Sequence, residues 1–213
     1  MISKQLIVAV CSASTAILFG CTKEPLNNLT QEESRIYTTN SDTTTNFGNY
    51  KTYSISDSVA VLDNGQSYKD LKPVDQAYID AVNKYMQQRG YVLVSKENNP
   101  DLGIDVNRVY NTATGYFSYN DYWDYYGGYW DPYEWGYADY YPYSFPSYYG
   151  AYQTNETVLS VDIIDLKNAA QNGNKLDVIW SGLIRGSGIF NSSTITDQIA
   201  ALFAQSPYLK ATE

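Results

Sequence analysis

The segment Tyr110–Tyr152 divides this chain and limits what it can become. It holds most of the 23 tyrosines, three of the four tryptophans and five acidic side chains (Asp121, Asp124, Asp131, Glu134, Asp139), with no Lys or Arg. Gly127-Gly128, Pro132 and Pro142 argue against one continuous helix, because glycine and proline both weaken helix interiors. Tyrosines recur there every third or fourth residue, but in so biased a composition that spacing carries no information. The fold has to come from the flanking segments, with this block as an insert.

Those flanks read as regular structure. Tyr50-Lys51-Thr52-Tyr53-Ser54-Ile55 alternates large and polar residues, as a half-buried strand does. A loop follows through Asp63-Asn64-Gly65. Pro73 suits a helix start, where its missing N–H goes unneeded. Val74, Tyr78, Val82 and Tyr85 then recur at helical spacing, with Asp75 in the first turn, Arg89 in the last and Gly90 as the stop. Tyr91–Ser95 is a short β-rich run. Leu102, Ile104 and Val106 alternate with Gly103, Asp105 and Asn107. Beyond the insert, Val158–Leu166 and Leu176–Arg185 read as strands around Asn172-Gly173, a tight-hairpin signal. A last helix begins at Thr194-Ile195-Thr196-Asp197, a capping-box variant, and presents Ile195, Ile199, Leu202 and Phe203 before ending at Ser206-Pro207. The expected fold is α+β: a mainly antiparallel sheet in the order β-α-β-β-insert-β-β-α, with both helices on one face.

The first twenty residues belong to something else. Lys4 precedes an apolar run from Leu6 to Phe19, too short for a comfortable bilayer span but suited to a signal peptide. The run ends in Leu18-Phe19-Gly20-Cys21, which resembles the bacterial lipoprotein box, whose cysteine is acylated and becomes the first mature residue. Cys11 would leave with residues 1–20, so Cys21 would be the one cysteine kept and no intramolecular disulfide could form. Thr22–Asn46 is polar, rich in Asn, Thr and Ser, and reads as a tether. The expected organisation is a signal peptide over 1–20, lipidated Cys21 and tether over 21–46, and one domain over 47–209.

Charge and composition exclude much chemistry. The chain has 14 Lys+Arg, 23 Asp+Glu and no histidine. Loss of Lys4 with the signal would leave 13 positive against 23 negative side chains, a net −10. Phosphate backbones are repelled by such a surface, so nucleic acid is not an expected partner. Flat adsorption to anionic lipid is disfavoured too, which leaves membrane attachment to acyl chains. Without histidine there is no Ser-His-Asp triad, no Cys-His pair and no His-containing zinc site. No EF-hand spacing is present, and no cofactor is implied.

The chain resembles the DUF4136 family, small envelope lipoproteins of unknown function. Four features carry the resemblance: Phe47-Gly48-Asn49-Tyr50-Lys51-Thr52-Tyr53; Asn99-Pro100-Asp101-Leu102; Ile164-Asp165 before a hairpin returning through Ile179-Trp180-Ser181-Gly182; and Phe203-Ala204-Gln205-Ser206-Pro207 closing the last helix. Position 181 is serine where the family pattern has a basic residue. The resemblance implies the fold and an address in the bacterial cell envelope, at the outer membrane with the face undecided. It implies no activity and no catalytic residues.

Two roles suit the insert. It folds over the open face of the sheet, or stays as mobile low-complexity sequence; or it is a contact surface, with Trp123, Tyr126, Trp130, Tyr133, Trp135 and Tyr137 as candidate ligand-contact residues for an envelope glycan or protein. Rings at the lipid headgroup level are a further option. The main expectation is a non-catalytic interaction or structural module. The alternative is a carbohydrate-binding or carboxylate-based carbohydrate-active protein, with Asp105 and Asp162 on the polar strand face and Asp121 or Asp124 overhanging them.

Overall fold

The computed structural model describes residues 29–63, 66–110, 116–118, 135, 141–144, 151–153, 157–173 and 175–212. The chain falls into two units, 1–30 and 31–213, and the second carries all that follows. Among the described residues no helix is long and apolar enough to cross a membrane.

The alternating segments become strands β2 (Thr52–Ile55), β6 (Leu102–Tyr110), β10 (Thr157–Asp165) and β11 (Lys175–Arg185). Four further strands join them: β1 (Ile36–Ser41), β3 (Val59–Asp63), β4 (Gln66–Asp70) and β5 (Val92–Leu93). Within the insert lie β7 (Tyr116–Ser118), β8 (Tyr141–Ser144) and β9 (Ala151–Gln153). The main sheet runs β1-β11-β10-β6-β2-β5. The β3–β4 hairpin continues beside β6, β8 joins β11, and β7 and β9 form a separate ribbon.

The α+β class holds, and the long central ladders β1/β11, β11/β10 and β10/β6 are antiparallel. Shorter parallel pairings flank them, because β2 and β3 both run alongside β6, and β5 alongside β2. Helix α1 (Pro73–Gln88) supplies the crossover that parallel strands need.

Three expectations change. The tether to residue 46 is too long: β1 lies within it, pairing Ile36–Ser41 with Arg185–Trp180. Only one of its residues is exposed and the rest are half-buried, as an edge strand requires, so no apolar alternation marks it. The connection from β10 to β11 is longer than a two-residue hairpin, its described residues 166–173 forming a looped turn in which Gly173 takes the left-handed backbone (φ 71°). Finally, helix α2 (Ile195–Gln205) has no side-chain cap from Thr194. The Thr194 hydroxyl donates to the Asn191 carbonyl and accepts from Gln198 Nε2, on a 3-10 turn that Asn191 caps.

Both helices cover one face of the sheet, and one core takes residues from both layers, including Tyr78, Val82, Leu202 and Phe203 from the helices and Ile104, Val161 and Trp180 from the strands. Tyr85 and Phe203 stack at 5.5 Å where the helices meet. Arg89 follows α1 directly, and its guanidinium donates to the carbonyls of Phe203 (2.6 Å) and Ser206 (3.2 Å), satisfying the open C-terminal end of α2. Ile179 is an extra residue in β11, opposite the Ile163/Ile164 step of β10, and the bulge sends both Ile179 and Trp180 into the helix-side core.

Candidate functional site

The sheet face away from the helices is polar at its centre. Strand register sets Asp105 directly opposite Asp162, and Asp162 opposite Ser181; on the next rung Asn107 faces Ser160. Period-two alternation puts all five on one face. Asp105 and Asp162 are only 2% and 1% exposed, and the other three are buried as well. Asp162 accepts from the Ser181 hydroxyl on one oxygen, and from Asn107 Nδ2 and Ser160 Oγ, each at 3.0 Å, on the other. Three donors thus converge on the Asp162 carboxylate. Asp105 and Asp162 do share this face, as their strand pattern predicts, both buried and with Asp162 hydrogen-bonded to its neighbours. Asp121 and Asp124 lie outside the described residues.

Below the rung, Gly103 lacks a side chain for a reason. A Cβ there would lie 2.9 Å from Trp135 Cε2, so the indole rests directly on the β6 backbone. Trp135 is 5% exposed and joins Ile164, Leu166, Ala169, Leu176 and Val178 in a second, smaller core. Of the six candidate contact residues it is the one described, and it is a buried anchor rather than a presented ring. Trp123, Tyr126, Trp130, Tyr133 and Tyr137 lie outside the described residues, as does Cys21. An apolar notch also borders Trp135, between Ile55, Leu71, Ile79 and Leu93.

A polar hollow of about 690 Å3 lies at the end of the sheet where the 42–50 and 165–172 loops meet. Its floor is Tyr50, whose hydroxyl donates to Asp165 Oδ2 at 2.8 Å; Asn168 Nδ2 donates to the same oxygen at 2.7 Å. Burial, reinforced by the Asp165 carboxylate, pushes the Tyr50 hydroxyl far above its ordinary pKa. On the rim, burial works to raise the Asp42 pKa, but donors from the Thr44 backbone and from the Thr44 and Thr45 hydroxyls outweigh it and hold the carboxyl below its usual value. Lys167 Nζ stands 5.8 Å from the Tyr50 ring centre and donates to the Asn49 carbonyl at 2.7 Å. Sequence reasoning passed over this hollow, reading its walls as tether and turn. The one local signal was the pair Asp42-x-Thr44 and Asn46-x-Gly48, both side-chain-to-backbone turns.

The DUF4136 profile, a domain of unknown function, matches residues 37–208. The chain belongs to the DUF4136 family. A crystal structure of a DUF4136 family protein from Bacteroides thetaiotaomicron is similar over 83% of this chain and 98% of that one, with 26% identity and a TM-score of 0.66. The PelC dodecamer from Paraburkholderia phytofirmans is a looser likeness: 15% identity over 84% of this chain and 99% of that one, TM-score 0.41. No curated protein matches the chain.

The DUF4136 motifs turn out to touch one another. Tyr50 meets Asp165. Asp101 binds the backbone N–H of Lys51 at 2.6 Å, while its carbonyl accepts from Leu166 and Lys167. Trp180 meets Phe203 and Ser206. Ser181 gives its hydroxyl to Asp162. Most of the motif residues are thus the ties between separate elements of the fold.

Proposed function

We propose that this DUF4136 protein is a lipid-anchored component of the bacterial cell envelope, at the outer membrane, and that its domain is a non-catalytic binding module. Support for the anchor lies in Leu18-Phe19-Gly20-Cys21 at the end of an apolar run. After cleavage before Cys21, residues 22–30 would join the acyl chains to the turn at 31–34, which packs on the domain, a reach of at most about 32 Å. The domain then works close to its membrane.

The observation that carries the binding reading is the condition of Asp105 and Asp162. A glycosidase needs two carboxyl groups facing substrate across a cleft. Here both are buried and Asp162 is engaged by Ser181, Asn107 and Ser160. The carbohydrate-active alternative rests on the same cross-strand placement, and this burial weighs against it. What remains for contact is the tyrosine- and tryptophan-rich segment, tied to the sheet through Trp135 on Gly103.

Photo-crosslinking in intact envelopes tests this reading. The parent should capture a defined partner that Trp123→Ala/Trp130→Ala loses, while Asp162→Asn keeps it. Identical capture by the tryptophan variant would remove the aromatic segment as the contact surface. Loss of a measurable turnover in Asp162→Asn, with capture kept, would favour the catalytic alternative.

A further inference from the structure

The hollow beside Tyr50 has the build of a small-molecule site, and we propose that it binds a neutral sugar ring. Its volume of about 690 Å3 lies within the range of ordinary ligand pockets. Three stretches distant in sequence wall it, 42–50, 165–172 and 177–179. At its floor Tyr50 and Asp165 are each 4% exposed and bonded to each other.

The polar groups are fixed before any ligand arrives. Asp42 is held by Thr44 and Thr45, Asp165 by Tyr50 and Asn168, and Asp177 by Asn172 Nδ2 at 2.7 Å. Groups already ordered lose little freedom on binding. A carboxylate has roughly four acceptor positions, and Asp42 and Asp165 each accept from three donors, which leaves a position on each for a ligand hydroxyl.

The lining decides the ligand class. Three carboxylates face one ammonium, and that ammonium, Lys167 Nζ, is engaged by Asn49 and by Asp101 at 3.4 Å. A phosphate or carboxylate would be repelled. An apolar molecule would find only Ile179 and the Tyr50 ring. Among the described residues no group of three acidic side chains is placed to hold a metal ion. An organic cation would satisfy the carboxylates and leave the amides of Asn46, Asn49 and Asn172 idle. Sugar hydroxyls use both kinds of group, donating to carboxylates and accepting from amide N–H. Trp135 is not among the residues that line the hollow, and none of the proposed ring contacts or the lipid-box cysteine is needed to form it, so its fate is separable from that of the proposed anchor and aromatic surface.

The test is a binding titration of the full chain, purified in a detergent without a sugar headgroup. The probes are the methyl glycosides of N-acetylglucosamine, glucose and galactose, with protonated glucosamine and glucuronate as charged controls. At least one neutral glycoside should bind with a Kd of about 1 mM, weakened roughly tenfold by Asn49→Ala and by Asn172→Ala. Both side chains are exposed, so both variants should melt with the parent. No neutral glycoside bound at about 50 mM, equal binding in both variants, or binding of glucosamine alone would each overturn the proposal.

Discussion

The indole N–H of Trp180 donates to Ser206 Oγ at 2.9 Å, joining the bulged strand β11 to the end of helix α2. Trp180 is 1% exposed and Ser206 fully buried, so water cannot replace either partner. Ser206→Ala should leave the indole unpaired and cost about 1–3 kcal/mol by chemical denaturation. In a Trp180→Phe background the same change should cost much less. Equal losses in both backgrounds would mean that the bond contributes nothing.

Arg108 lies on β6 at 2% side-chain exposure, its Nε 2.9 Å from Oδ1 of the fully buried Asp75 and its NH2 group 2.9 Å from Asp70. The Asp75 contact is ionic, since the N–H is not aimed along it. Asp75 Oδ2 also accepts the Lys72 N–H at the start of α1, so the same carboxylate serves the helix and the pair. Arg108→Met should destabilise the fold by about 3–5 kcal/mol by stranding that charge. Adding Asp75→Asn should recover part of the loss, and unfolding free energies of the two variants would decide it.

Gly103→Ala places a methyl group 2.9 Å from the Trp135 ring, against a strand backbone that cannot move away cheaply. Loss of roughly 1–3 kcal/mol is expected, and Trp135→Ala should relieve most of the clash. The comparison is between thermal melts of Gly103→Ala in the two backgrounds. An unchanged penalty without Trp135 would show that the indole is not what forbids the side chain.

Burial raises the pKa of the Tyr50, Tyr53, Tyr78 and Tyr91 hydroxyls above the ordinary 10.0. Between the unfolded and folded values the native state keeps protons that the unfolded chain has released. Stability from these groups is therefore fully present below pH 10.0 and declines as pH rises beyond it. Near-ultraviolet absorbance and circular dichroism followed together should show these four ionising only as the fold is lost. Full ionisation of all tyrosines in an intact fold would contradict the burial.

Much of this was legible in the sequence where periodicity was clean. Alternation in Leu102–Asn107 gave β6 and set Asp105 on the polar face; helical spacing gave α1, with Gly90 in the left-handed backbone at its end (φ 87°). Ile36–Ser41 escaped notice because an edge strand need not alternate, and it is polar and half-exposed. Val59–Leu62 is buried on both faces, so it shows a run rather than a period. Parallel pairing of β2 and β3 with β6 leaves no local mark. The hollow was invisible for a related reason: two loops and the start of β11, far apart in sequence, make it, each ordinary alone.

The proposed place in the envelope depends on acylation of Cys21, and intact mass spectrometry of the mature protein tests it directly. The account predicts a chain starting at Cys21 and heavier than its sequence by a diacylglyceryl group, with or without a further N-acyl chain, and a Cys21→Ser variant that lacks this mass and leaves the membrane fraction. A mature chain of unmodified mass, or one retaining residues 1–20, would contradict it.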